Sequence, residues 1–147
     1  MENKIATETF RNGYNCAQSI IAAFAPGRGI SRDLSLKLAN GLGGGINGQG
    51  GTCGAVVGAL IVLGLYFGTE SSSDPEGKQK YKLIANKFSE KFLQQHNSLK
   101  CHELLAEEGG DPERVAELKA NDAFQDFCTG VVNDAALLLE EILRDEN

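Results

Sequence analysis

A chain of 147 residues fits one compact domain, long enough to bury about 70% of the surface its unfolded form exposes, so it needs neither disulfides nor metal to fold. A formal charge of −6 and a pI near 4.9 leave no basic stripe of the kind a non-specific nucleic-acid binder requires, which sets nucleic acid aside. The opening MENKIATETFRNGYN is charged and lacks the basic-then-apolar order of a secretory signal, so the expected location is cytoplasmic, where thiols rest reduced.

Strand signals are scarce, and apolar residues recur at helical spacing nearly throughout. Ile5, Thr9 and Phe10 predict a first helix ending near Asn12-Gly13. Asn15 with Gln18 three residues later has the form of a capping box, opening a helix through Ile20, Ile21 and Phe24 to Pro26-Gly27. Ser31 is placed to cap a third helix carrying Leu34, Leu36 and Leu38, and Thr52 to cap an apolar helix that ends at Gly68. Asp74 and Pro75 stand as N-cap and first residue of the next helix, with Tyr81, Ile84, Ala85, Phe88 and Phe92 along one side. Asn97 or Ser98 is expected to start a short helix, SLKCHELLAEE, closed by Gly109-Gly110, and Asp111-Pro112 another turn or two. The last helix carries Val131, Val132, Ala135, Leu138, Leu139 and Ile142. The expectation is a single all-α domain over residues 1–147, a compact bundle of about six to eight helices around a central apolar, glycine-rich one.

No charge occurs between Lys37 and Glu70, which raises the question of a membrane. The apolar core, Ala55 to Phe67, is about 13 residues, where a spanning helix needs about 20. GGGINGQGGT before it would leave peptide groups unpaired in lipid, so no stable membrane insertion is expected.

Half of GLGGGINGQGGTCGAVVG, residues 41–58, is glycine. Gly43, Gly45 and Gly48 fit G-x-G-x-x-G, but a helical segment precedes them where a dinucleotide site needs a strand. Gly45 to Thr52 mimics a phosphate loop, but position 51 is Gly where Lys must reach the phosphates. The glycines instead supply positive φ and close backbone approach, delivering Cys53 to a helix start whose unpaired N–H groups favour a thiolate. Gly54 and Gly58 bare one face of that helix, so a neighbouring helix can bring another side chain to Cys53.

Cys16 follows the Asn15 cap, Cys101 lies in a first turn beside His102, and Cys128 comes near the start of the last apolar run. Cysteines at helix starts are biased towards thiolate. Their spacings exclude a local C-x-x-C pair and the short paired spacings of a zinc finger, so the fold must assemble any cluster. His102 is a candidate to share the reactivity of Cys101 or to ligate metal. His96 is expected to face solvent at a helix end, and Glu107-Glu108 and the RDEN tail to be solvated faces.

The order of Cys16 in NCA, Cys53-Gly54-Ala55-Val56-Val57-Gly58 as C-G-A-x-x-G, Cys101 in CHELL and Cys128 near the end resembles the redox-active C_GCAxxG_C_C family of bacteria and archaea. The resemblance covers nearly the whole chain, with Thr52 directly before Cys53 where the family name has Gly, and Cys-Gly-Ala-x-x-Gly matched. It implies that Cys16, Cys53, Cys101 and Cys128 are the functional residues, and it supplies neither substrate nor cofactor.

Three readings stay open. The first is thiol–disulfide exchange or electron transfer, as in a thiol–disulfide oxidoreductase, with Cys53 as leading nucleophile and a redox partner protein or small thiol as partner. Of the three connectivities, Cys16 with Cys53 and Cys101 with Cys128 is set first. The second is a zinc or iron–sulfur site on Cys16, Cys53, Cys101 and Cys128 with His102 as an extra ligand. The third is a helical interaction module whose cysteines only pack. The Gly64–Gly68 end and the bare face at Gly58 would equally serve a homo-oligomer.

Overall fold

The computed structural model describes residues 1–105, 113, 117, 120 and 122–147. Its helices are α1 (Glu2–Arg11), α2 (Cys16–Phe24), α3 (Arg32–Leu38), α4 (Gly54–Phe67), α5 (Pro75–His96), α6 (Cys101–Leu105) and α7 (Asp122–Glu146), with 3-10 turns at Ala25–Arg28 and Asn40–Leu42. Among the described residues there is no β-strand, only an isolated antiparallel pairing of Thr52 with Lys100. The protein is an all-α bundle.

Local chemistry sets most helix starts. At α2 the capping box is complete: Gln18 N donates to Asn15 Oδ1 at 2.8 Å and Asn15 N to Gln18 Oε1 at 2.9 Å. The Gln18 side-chain amide also donates to Leu36 O at 2.8 Å, tying α2 to α3. Ser31 Oγ accepts from Leu34 N at 3.1 Å, and Asp74 Oδ1 from Gly77 N at 2.9 Å with Pro75 at the first helical position. Two starts differ from expectation. Cys53, not Thr52, occupies the N-cap of α4, because Thr52 is drawn into its pairing with Lys100. The short helix begins at Cys101, after Asn97 closes α5 in the left-handed region (φ 64°) and Ser98 Oγ accepts from Lys100 N. The expectations for Glu107-Glu108, Gly109-Gly110 and Asp111-Pro112 lie outside the described residues.

α4 is the central helix, packed against α2, α5 and α7. Val56, Val62 and Leu63 are fully buried on it, in one core with Ile20, Phe88, Phe92, Leu139 and Ile142. Among the described residues no helix is long and apolar enough to cross a membrane. His96 does not face solvent as expected: it is half-buried, its ring 4.6 Å from that of Phe92. Its Nε2 lies 3.2 Å from Asp134 Oδ2 without the alignment of a hydrogen bond.

At Gly54 and Gly58 α4 presents bare backbone to α2. A Cβ on Gly58 would sit 3.1 Å from Ile20 Cβ and 3.2 Å from Ala17 O, and one on Gly54 3.1 Å from Cys16 Cβ. By contrast, a Cβ on Gly64 would meet only Tyr81 Cε2, at 3.8 Å. Gly58→Leu is therefore expected to destabilise by about 3 kcal/mol through overpacking, while Gly64→Ala gains up to about 1 kcal/mol of helix propensity. Urea unfolding of the two variants checks this; equal effects would mean the helices are not held by that close approach.

Candidate functional site

The glycine loop is a tight backbone curl. Gly48 N, Gly50 N and Gly51 N donate to the carbonyls of Gly43, Gly44 and Gly45 at 3.1, 3.0 and 2.9 Å. Gly45 is the position that only glycine can fill: its φ is +74°, and a Cβ there would run into the backbone of Gly50 and Gly51.

The curl presents its last carbonyls to the segment before α6. Gly51 O accepts from Cys101 N at 2.6 Å and Leu99 O from Cys53 N at 2.8 Å. This two-bond clasp flanks the Thr52–Lys100 pair, so Cys53 and Cys101 project from the same side of it. Diagonal neighbours of this kind lie about 7–8 Å apart in antiparallel pairs, at the edge of the reach of a disulfide, about 7 Å between Cα atoms. Gly50 O accepts from His102 N at 3.3 Å and contacts His102 Nδ1 at 2.5 Å. Since a carbonyl only accepts, Nδ1 carries the proton.

Cys16 is the first residue of α2, with its Cβ close against Gly54. Cys128 is not at a helix start: α7 begins at Asp122, and Cys128 lies well inside it, one turn from Phe124 and from Val131. All four cysteines nevertheless line one cavity of about 200 Å³. All are thiols, with Cys53, Cys101 and Cys128 buried and Cys16 half-buried. Among the described residues, no group of three or more His, Cys, Asp or Glu has the convergence that holds a metal ion. His102 Nδ1 meets the Gly50 carbonyl, and His102 is half-buried beside Cys101 in the first turn of α6.

The expectation of a low-pKa thiolate at Cys53 is also overturned. Burial, then the neighbouring Cys16, push the Cys53 thiol up to about 12, with Cys101 adding a smaller push. The amides of Ala55 and Val56 act in the opposite sense, as a helix start should, but burial outweighs them. The buried N-cap thiol rests protonated. The other part of the site that spacing did not announce is its apolar wall, supplied by Phe10 in the last turn of α1, Tyr14 in the connection to α2, Leu104 of α6 and Phe124 and Phe127 of α7.

The sequence model of the family described as "Putative redox-active protein (C_GCAxxG_C_C)" matches residues 14–142, which include all four cysteines. The chain belongs to this redox-active family. No curated protein and no solved structure matches it. Within the C_GCAxxG_C_C pattern, Cys53-Gly54 and Gly58 are the N-cap and the α2-facing positions of α4.

The raised pKa of Cys53 has a stability consequence of definite sign. Below pH 9.0, the ordinary value, the thiol is protonated folded and unfolded, and its contribution is fully present. Between 9.0 and about 12 only the unfolded chain ionises, so stability falls by about 1.4 kcal/mol per pH unit from this group. Urea unfolding of the reduced protein across pH 8.5–10.5 (about two units) should show that decline beyond what Cys53→Ala shows. Identical pH profiles for the two proteins would contradict the burial of the thiol.

Proposed function

We propose that this member of the redox-active family is a thiol–disulfide protein in which Cys16 attacks an external disulfide bond and Cys53 resolves the mixed disulfide that results. The observation that carries the reading is the seating of Cys16 against the start of α4, where it is the strongest charged-state neighbour of Cys53. Cys16 is also the least buried of the four thiols, so the nucleophile expected from sequence at Cys53 is assigned here to Cys16.

In the first step the Cys16 thiolate attacks one sulfur of R–S–S–R′, releasing R′–S⁻ and leaving a Cys16–S–S–R mixed disulfide. Cys16 then no longer carries a charge, which removes the second of the two main effects that keep Cys53 protonated. The amides of Ala55 and Val56 continue to favour its thiolate. Cys53 attacks the Cys16 sulfur, R–S⁻ leaves, and a Cys16–Cys53 disulfide forms. Two protein thiols are oxidised, the external disulfide is reduced to two thiols, and the protons of Cys16 and Cys53 go to the leaving thiolates. The burial of Cys53 thus orders the steps, resolution after capture. Cys101 and Cys128, on the same cavity wall, are the second pair, able to pass the disulfide onward by the same exchange. The partner is a redox protein or small thiol of the cytoplasm.

Treating reduced Cys53→Ser with hydroxyethyl disulfide should trap a one-to-one adduct on Cys16, seen by intact mass and peptide mapping, whereas the wild type loses two hydrogens and keeps no adduct. Cys16→Ser should react more slowly by at least about tenfold, the factor worth 1.4 kcal/mol. A Cys16→Ser protein that reacts like the wild type would refute the assignment.

A further inference from the structure

The glycine curl is a left-handed turn under strain. Gly44, Gly45, Ile46, Asn47 and Gly48 pass in succession through the left-handed region, with φ of 62°, 74°, 67°, 53° and 70°. L-residues visit that region singly and not as runs. Glycine enters it without steric cost and Asn tolerates it. Ile46 does not: it is β-branched, and its Cβ crowds the following carbonyl. Its side chain is 45% exposed, so burial offsets only part of that strain.

Strained backbone persists where its surroundings over-determine it. Within the curl, Asn47 N donates to Gly41 O at 2.8 Å, beside the three bonds from Gly48, Gly50 and Gly51. From outside, α6 holds the last two carbonyls: His102 N and Nδ1 meet Gly50 O, and Cys101 N donates to Gly51 O. The curl borders the thiols on two sides. Gly44 lines their cavity, and Gly51-Thr52 runs directly into Cys53 at the start of α4. Resting on the exchange chemistry proposed above, we infer that the curl is a strain-loaded gate on the thiol cavity. When α6 lets go of Gly50 and Gly51, residues 44–48 leave the left-handed region, the wall opens at Gly44 and water reaches Cys53. Resolution of the mixed disulfide waits on that opening, because a thiol in a dry enclosure resists ionisation. The exchange itself is unchanged: the Cys53 sulfur attacks that of Cys16, and its proton passes through the admitted water to the departing R–S⁻.

Two substitutions at one exposed position test the gate. Ile46→Asn relieves the strain and keeps a Cβ, whereas Ile46→Val retains the β-branch and the strain. Amide exchange of Gly48, Gly50 and Gly51, read by NMR on the reduced protein, reports the opening without any substrate. Ile46→Asn is expected to slow that exchange by at least about threefold. It should lengthen by the same factor the lifetime of the Cys16 adduct with hydroxyethyl disulfide, followed by acid quench and intact mass. Ile46→Val should leave both within about twofold of the wild type. Exchange at these amides as slow as that of Val62 and Leu63 in the core of α4, or unaltered by Ile46→Asn, overturns the gate and leaves the exchange chemistry standing. Slower amide exchange with an unaltered adduct lifetime overturns the gate's hold on resolution. No adduct on Cys16 in any of these proteins, nor in Cys53→Ser, overturns the exchange reading and this regulation together.

Discussion

The close approach of α2 to α4 is the constraint on which the site depends. At Gly54 and Gly58 the central helix offers bare backbone, and the neighbouring atoms of Cys16, Ala17 and Ile20 fill the space where side chains would stand. Larger residues at these two positions would push α2 outwards, and Cys16 would leave the cavity wall together with it. The capping box fixes the other coordinate: Asn15 and Gln18 close the first turn of α2 upon each other, so Cys16 is held in a helical conformation at the point of contact. Helix packing and helix capping together place one half-buried thiol beside one buried thiol.

At Cys53 two familiar effects compete, and their sizes decide the outcome. A helix N-terminus favours an anion by about 0.3–1 kcal/mol in ordinary settings. The rise from 9.0 to about 12 corresponds to about 4 kcal/mol against the thiolate. Burial therefore prevails, and the buried thiol is kept silent until its environment changes. The clasp between the glycine curl and the segment before α6 is part of the same enclosure, since it ties Cys53 N to Leu99 O and Cys101 N to Gly51 O. The glycines fold upon themselves so that their carbonyls can hold α6 in place.

Much of the fold was legible because its determinants are local. The Asn15–Gln18 box, Ser31 and Asp74-Pro75 act within one helical turn, and each starts the helix its spacing predicts. The central position of α4 follows from a run with no polar face to turn outwards. What was not legible depends on distant partners. Thr52 has the side chain of a cap, but pairs with Lys100 instead; His102 has the chemistry of a ligand, but its ring meets the Gly50 carbonyl. Cys128 was partly readable: Phe124, Cys128 and Val131 already carry helical spacing back towards Asp122. That the four cysteines share a cavity follows only from the packing of α1, α2, α4, α6 and α7.

The central claim is that Cys16 and Cys53 form the working pair. Disulfide mapping by mass spectrometry, after oxidation of the anaerobically reduced protein with one equivalent of a two-electron oxidant and alkylation of the remaining thiols, tests it most directly. The account predicts a Cys16–Cys53 link, with Cys101 and Cys128 recovered alkylated after denaturation. A first disulfide joining Cys101 to Cys128 with Cys16 and Cys53 left as thiols, or four thiols that resist oxidation until the chain is unfolded, would contradict it.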